Sequence, residues 1–441
     1  MNSKRISRKS SKPSSPGIIK PSGAKIIRPA PLTGAASPYQ QRAAQFPPAW
    51  LWLVDEALPT LVKKNYSPKD SWKDKPFTKE DAGFFFKGIQ ELSELFTEER
   101  SKGLANYFNH PKFRSSYLLY FLPLQAAKFL TIYQLHFQAI EAALDHAEKT
   151  GVLRIVDLGA GPGTASISLL LLLLNQKMVP GKSLPRIELE WFDTQESIMA
   201  DGKALVEQLA SSFPKLRGKV TVKTHCTPWW KAPSILLKEA GSAGSAGSKE
   251  KLDKGAPNSS HQASLILMGH VLNESTAPQR DVNDFWEKLV SITGGGGILL
   301  VEPAARRPSQ GLSKLRDHFF ESGLLESSPT RIWGPCLHAG ACPLSDGRDW
   351  CHFSVPANIP GSWFRGFSEG LGSERQWVKF SYVWIASAEY PSPQMDPRTR
   401  RVISDPLNQG TAATYLLCEP EEPGRWVSPN NNLGRGDLIK I

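Results

Sequence analysis

Three of the chain's five cysteines fall within sixteen residues, in GPCLHAGACPLSDGRDWCHFS (334–354), and a fourth closes a late apolar run, TYLLCEP. The ligand spacing is Cys336-x5-Cys342-x8-Cys351, with Cys418 far downstream. Zinc ribbons and fingers bring paired ligands about two to four residues apart, and no two cysteines here are that close. Four thiolates from a loop and a distant strand suit tetrahedral zinc or a [4Fe–4S] cluster alike. His338 or His352 could replace a cysteine on zinc. Five cysteines in 441 residues do not make a disulfide scaffold. The pattern predicts a metal site and leaves the metal open.

The second chemical motif is VDLGAGPGTAS (156–166), in which a strand ends near Asp157 and runs through Gly159, Gly161 and Gly163 into a helix. Glycines let a backbone turn tightly and approach a ligand, and a helix N-terminus offers free amide groups. A dinucleotide site would read G-x-G-x-x-G. The G-x-G-x-G spacing with Pro162 inside instead resembles the first motif of S-adenosylmethionine-dependent methyltransferases. One strand later, Asp193 ends WFD, where such enzymes keep an acid for the ribose hydroxyls; a carboxylate can accept both hydrogen bonds. After the fourth apolar run, MGHVLNE places His270, Asn273 and Glu274 at a strand's carboxyl end, where ligands bind in open α/β sheets. The loop lacks the Asn/Asp-Pro-Pro-aromatic signature that grips an amino group in many methyltransferases, and a lone His there is commonly a structural hydrogen-bonder. Cys226, the one thiol near these loops, is expected to be buried or incidental. The cofactor-binding candidates are therefore Asp157, Gly159, Gly161, Gly163, Asp193 and His270, with catalytic residues unassigned. A vestigial, empty fold is the alternative.

Positioning these residues requires a sheet. RIVDLG, IELEWFD, VTVKTHC, SLILMGHVL and GGILLVEP read as short strands alternating with helices such as ESIMADGKALVEQLASSF, which predicts a parallel sheet covered on both faces. The expected class is α/β, a Rossmann-like methyltransferase fold with an N-terminal helical region and a C-terminal cysteine-rich metal-binding region. Residues 47–150 carry apolar residues at helical spacing and should flank the sheet, their aromatics Tyr117, Tyr120 and Phe129 serving as core. Residues 151–330 form the cofactor domain, interrupted by a Gly/Ser/Ala- and Lys-rich stretch at 238–263 expected as a flexible surface loop. Residues 331–441 should place β segments, WVKFSYVWIAS among them, around a metal knot.

The formal net charge is +11, and nine of the basic residues lie in residues 1–46, which hold no acid. That Ser/Pro/Gly-rich head is expected to be disordered. It could hold RNA phosphates by counterion release, or serve only as a solubilising tail. As a transit peptide it is poor, since Pro13, Pro16 and Pro21 interrupt any amphipathic helix. No apolar run reaches the length of a membrane span, and no secretory apolar region follows the basic start.

CLHAGACPLSDGRDWCHFS followed by KFSYVWIAS resembles the methyltransferase-like family associated with the small ribosomal subunit, whose eukaryotic members act in mitochondrial small-subunit assembly and which has bacterial relatives. The matching positions are Cys342-Pro343-Leu344, Asp349-Trp350-Cys351-His352-Phe353 and Lys379-Phe380-Ser381-Tyr382, with RRVISDPL leading to LLC. Leu337 replaces a common Pro, and Gly434-Arg435-Gly436-Asp437 stands where relatives often show Trp-Gly-Asp. The resemblance implies a [4Fe–4S] cluster on Cys336, Cys342, Cys351 and Cys418, with zinc as the alternative. It also implies the cofactor S-adenosyl-L-methionine and, as partners, the small ribosomal subunit and its rRNA. The activity it implies is nominally rRNA methylation, with a catalytically inactive RNA-binding assembly factor as the second possibility. Four available thiolates argue against radical chemistry, which leaves one iron open. No membrane partner is expected, and the chain should be monomeric off the ribosome. The cytoplasm is the expected location, or the mitochondrial matrix if the source is eukaryotic.

Overall fold

In the computed structural model the described residues are 44–98, 107–175, 179, 183–244, 262–273, 279–323, 332–372, 377–387, 389–392, 396–408, 412–420, 423–428 and 433–441. Most of the basic head and residues 245–261 of the expected flexible loop lie outside them.

Five parallel strands carry the fold: β1 Val152–Leu158, β2 Arg186–Asp193, β3 Val220–Cys226, β4 Leu265–Gly269 and β5 Ile298–Pro303. Each coincides with one of the apolar runs. Their order is β3-β2-β1-β4-β5, so the chain reverses its direction of travel across the sheet between β1 and β4. Open sheets of this kind bind ligands beyond the carboxyl ends of the strands at that reversal. Strand side chains alternate between faces. Leu299 and Val301 of β5 therefore enter one core while Ile298 and Leu300 enter the other.

The tail does not form a knot of its own. The strands after β5 are β6 Ile332–Gly334, β7 Phe353–Pro356 and β8 Trp377–Ile385. β8 pairs antiparallel with β5, and β6 and β7 share its other edge. The cause is legible in WVKFSYVWI, whose last six residues are all buried. Such a run belongs to a strand covered on both faces, not to the rim of a small metal domain. Only the last segment stands apart from the main sheet: β9 Thr399–Arg401, β10 Ala413–Leu417, β11 Gly424–Ser428 and β12 Leu438–Lys440 pair as β10-β11 and β9-β12 around Val402, Ala413, Tyr415 and Leu417. The expected flexible stretch also needs correction at its start, because the Ala232–Gly244 helix continues through residues 238–244.

Before β1 the chain is helical from Ala49 to Thr150, with breaks. Wide π-helical turns at Trp52–Ala57 and Tyr117–Phe121 each precede a proline, Pro59 and Pro123. Proline removes one helical hydrogen bond and crowds the carbonyl four residues back, and a wider turn relieves that crowding. Tyr120 and Phe129 are buried, as expected of core aromatics. The Leu122–Leu135 helix lies on the Thr164–Leu174 helix that follows the glycine loop. This explains a helix reading TASISLLLLLL. It is buried almost all round, between the sheet and the N-terminal helices. No helix among the described residues is long and apolar enough to cross a membrane.

From Ala36 onward the chain is one compact unit. The divisions near residues 150 and 330 mark changes of secondary structure within it.

Candidate functional site

At the end of β1 the backbone turns through Gly159, Gly161 and Gly163 at φ of 69°, 52° and 72°, a region in which side chains are strained. Two of these glycines are also sterically required. A Cβ on Gly163 would lie 2.1 Å from the Trp191 ring, and one on Gly159 would lie 2.4 Å from Val271. Gly161 differs, since its nearest neighbour would be the Phe108 ring at 3.8 Å. Asp193 holds the loop: its Oδ2 accepts the Gly161 N–H at 2.8 Å and its Oδ1 accepts the Gln195 N–H at 2.9 Å. Burial raises the Asp193 carboxyl above its ordinary value, against those backbone donors. Asp157, 2% exposed, accepts from the Ser166 hydroxyl at 2.7 Å and the Ser166 N–H at 3.2 Å. Burial pushes its carboxyl up to about 6. Of the carboxylates expected at the cofactor, Asp193 lies against the loop backbone, whereas Asp157 fastens the first turn of the following helix.

The N-terminal helices add residues that sequence reasoning missed. Phe108 faces Gly161, and its carbonyl accepts a hydrogen bond from the Arg114 guanidinium at 2.6 Å. Arg114 Nε donates to the Tyr66 hydroxyl at 3.1 Å, which in turn donates to Asp201. Asn65 completes the set, donating to Asp201 Oδ1 at 2.8 Å. Burial, then the Asp201 carboxylate, raises the Tyr66 hydroxyl well above its usual range. These polar residues come from three separate helices, Asp201 from the one after β2, so no local sequence signal announced the set.

Across the reversal point, His270 closes β4 at φ 62°, unusual for a residue with a side chain. Its Nε2 lies 2.9 Å from Gln125 Oε1, and its N–H donates to the Val301 carbonyl at 2.8 Å. Next to it, Val271 packs on Gly159 and Leu272 N–H donates to buried Glu302 at 2.9 Å. The structure thus brings the glycine loop, Asp193 and the β4 loop to one end of the sheet. Asn273 belongs to the same loop, and Glu274 falls outside the described residues. Cys226 is exposed rather than buried; it pairs with Asp193 in the β2–β3 register, and its Sγ lies 3.6 Å from the Thr194 carbonyl.

The four clustered cysteines come from separate elements and line one pocket. Cys336 follows β6, Cys342 lies in the next loop, Cys351 precedes β7 and Cys418 follows β10. The wall is one face of the Arg306–Glu321 helix, with Ser309, Ser313 and Arg316, and the middle of β8. Among the described residues the sulfurs do not form a set of three within 4.8 Å of one another. His338 Nε2 is 3.4 Å from Cys418 Sγ, and its Nδ1 is 3.2 Å from the Gly340 carbonyl. Burial, then the Arg316 charge, lowers this imidazole to about 4. His352 turns instead to the Trp350 carbonyl at 3.1 Å.

The pocket holds charges of both signs: Arg316 donates to Asp317 at 2.5 Å, and Asp317 in turn accepts the Cys342 N–H at 3.0 Å. Arg316, 2% exposed, lines the pocket, and the charge of Arg401, 7% exposed, acts on Cys351 from nearby. Arg316 donates to the carbonyls of His338 and Gly340, but its Nε is buried without a partner. Arg401 Nε donates to the Pro335 carbonyl at 2.8 Å. Burial, then the neighbouring sulfurs, pushes Cys351 well above the thiol range and Cys418 up to about 12. Buried cations beside four thiols suit a group that carries negative charge once those thiols ionise, as metal ligation requires. Around the pocket, Arg435 donates to Asp349 at 3.2 Å and Asp437 is fully buried, so the Arg-Gly-Asp string is a structural turn.

A different trio, Glu190, His225 and Glu239, does bring ligand atoms within 4.8 Å of one another. The Lys223 ammonium already bridges its carboxylates, at 3.2 Å from Glu190 and 2.6 Å from Glu239. With that ammonium shared between the two carboxylates and His225 bonded to Glu190 at 2.8 Å, the trio is an ion-pair network at the sheet edge.

Residues 237–427 match the model of the family described as mitochondrial small ribosomal subunit Rsm22. The matched segment includes all four pocket cysteines and stops short of the glycine loop. The resemblance carried by the cysteine motif is borne out there. No curated protein matches the chain. Among solved structures, the methyltransferase domain of bacterial CtHen1 is similar at 15% identity over 38% of this chain and 66% of that one, with a TM-score of 0.20. The magnesium protoporphyrin IX methyltransferase of Synechocystis PCC 6803 is similar at 12% identity over 52% and 78%, with a TM-score of 0.21. A methyltransferase from Clostridium acetobutylicum ATCC 824 shares 8% identity over 68% and 78%, with a TM-score of 0.20. The α/β architecture is defined by the β3-β2-β1-β4-β5 strand order.

Proposed function

We propose that this chain is a methyltransferase-like protein of the mitochondrial small ribosomal subunit that binds S-adenosylmethionine and carries a closed [4Fe–4S] cluster. The observation that carries the proposal is the gathering of Cys336, Cys342, Cys351 and Cys418 around one pocket inside the segment that matches the family. A zinc tetrahedron with bonds of about 2.3 Å would need sulfurs about 3.8 Å apart. Four thiols around one pocket can hold either group, and the resemblance of the cysteine motif favours the cluster, whose negative charge the nearby Arg316 guanidinium would offset. When bound, the cluster supplies a redox-sensitive structural centre. The chain's own residues anchor it between β8 and the last strands.

S-adenosylmethionine, when bound, supplies an activated methyl group. For that ligand Gly161 brings the backbone within reach without a side chain, its only near neighbour being the Phe108 ring, and Asp193 retains lone pairs for hydroxyl donors beside the two backbone N–H groups that it accepts. Methyl transfer needs positioning above all. The family description favours the mitochondrial matrix over the cytoplasm; small-subunit rRNA is the partner proposed with it, for a chain that is a monomer off the ribosome. A second reading, an assembly factor without transferase activity, is favoured by the Gln125 bond that occupies His270 and by the missing amino-gripping motif.

Iron, zinc and acid-labile sulfide measured on protein purified without air test the cluster. About four irons and four sulfides per chain are expected, and one zinc without sulfide overturns it. Calorimetry with S-adenosylmethionine tests the pocket: Gly161→Arg should abolish binding, and unchanged binding means the pocket lies elsewhere. Transfer of labelled methyl groups to small-subunit rRNA separates the two readings.

A further inference from the structure

We propose that Trp72 and Phe84, far in sequence from both the glycine loop and the cysteines, form a docking surface for single-stranded RNA. This rests on the RNA reading above and adds the place where a strand lies. The Lys79–Glu98 helix buries Phe85, Ile89 and Leu92 against the core. Phe84 points away from that stripe and is 51% exposed. Its ring meets Trp72 edge-on, with centroids 6.5 Å apart and planes at 88°. Lys69 places its ammonium 5.1 Å from the Trp72 ring. Two rings beside a cation make a small platform with a positive rim.

The charge around it fits a polyanion. Lys75, Lys79 and Lys87 are exposed on the same short stretch as Lys69, and Phe84 and Lys87 share a helix face. Among the acids, Asp70 is paired with Lys73 at 2.8 Å. Asp74 and Glu80 are exposed, so cations outnumber free carboxylates. Lysines alone would take any nucleic acid through its phosphates. The rings narrow the choice, because bases in a duplex stack on one another while those of a single strand offer open faces to aromatic side chains.

The full chain is titrated with a short fluorescein-labelled oligouridylate and with an RNA duplex of the same length, across a salt series. Trp72→Ala/Phe84→Ala should weaken single-strand binding about tenfold or more, leave duplex binding unchanged, and leave the salt slope unchanged. Lys69→Glu/Lys87→Glu should flatten the single-strand salt slope by about 0.7 for each phosphate that is no longer neutralised. An unchanged melting temperature for each variant confirms that the fold persists. Wild-type affinity in the ring variant, with RNA binding intact, overturns the surface and leaves the RNA reading standing. Absence of RNA binding by the wild-type chain overturns both. Unchanged RNA affinity with lost cosedimentation on small subunits makes the face a protein contact and also overturns the proposal.

Discussion

The three loop glycines look alike in sequence and differ at the level of the single residue. Gly163→Ala drives a Cβ into the Trp191 ring and retains a φ of 72°, so the loop or the tryptophan must move. We expect it to destabilise the protein by about 3 kcal/mol or more, combining backbone strain with overpacking. Gly161→Ala meets only the backbone penalty, about 1 kcal/mol. Urea denaturation of the two variants checks the order, and equal losses would mean that Trp191 yields freely. Asp157 carries a pH signature. Its folded carboxyl is raised from 3.8 to about 6, so the folded state favours the protonated form. That stabilisation is complete below the unfolded value and is lost as pH rises through about 6, a fall of about 3 kcal/mol across the window. Asp157→Asn keeps an acceptor for Ser166 and removes the ionisation. Its stability relative to the parent should rise over that same pH interval. Denaturation at a series of pH values measures the difference, and parallel curves would assign the titration to another group.

Among elements, β8 matters most to both sites. Tyr382 and Val383 line the cysteine pocket, and the same residues pair with Val301 and Leu300 of β5. The β5 strand in turn holds the β4 loop through Glu302 and the Val301 carbonyl. The last strands have fewer ties, a small core and the Arg401 hydrogen bonds. Removing the proposed cluster by chelation should therefore raise hydrogen exchange in β9–β12 and around Cys351 while β1, β4 and β5 stay protected. Exchange measured by mass spectrometry tests this. Uniform deprotection would show that the pocket supports the whole sheet, and no change would show that it supports neither.

At the scale of the molecule, the first helices and the tail are fastened together across most of the chain's length. Trp50 Nε1 donates to the Pro360 carbonyl at 2.8 Å. Asp55 Oδ1 accepts the N–H groups of Ser362 and Trp363 at 2.7 and 3.3 Å, capping the Ser362–Gly370 helix from outside. A helix N-terminus otherwise leaves such donors to water. Asp55→Ala should cost about 1 kcal/mol, as loss of a cap does, and unfolding should remain one transition by near- and far-ultraviolet circular dichroism. Two separated transitions would show that the helical and cysteine-bearing parts unfold as independent bodies.

Local sequence determined a good deal of this protein. Apolar runs of strand length placed β1, β2, β4 and β5, because an interior strand must be apolar whatever its neighbours are, while the edge strand β3 was legible from its β-branched alternation. The glycine loop was legible from its spacing, since few residues other than glycine can hold three positive φ angles in five positions. Cys336, Cys342 and Cys351 declared themselves by density. Tertiary structure alone decided the rest, because contact between residues far apart in sequence leaves no local period. It set β8 beside β5 and so merged the expected metal knot with the main sheet. It linked Arg114, Tyr66 and Asp201 in one hydrogen-bonded chain behind Phe108, and it set Arg316 in the wall of the cysteine pocket. Each of these depends on which buried surfaces meet, and that is fixed only when the whole core closes.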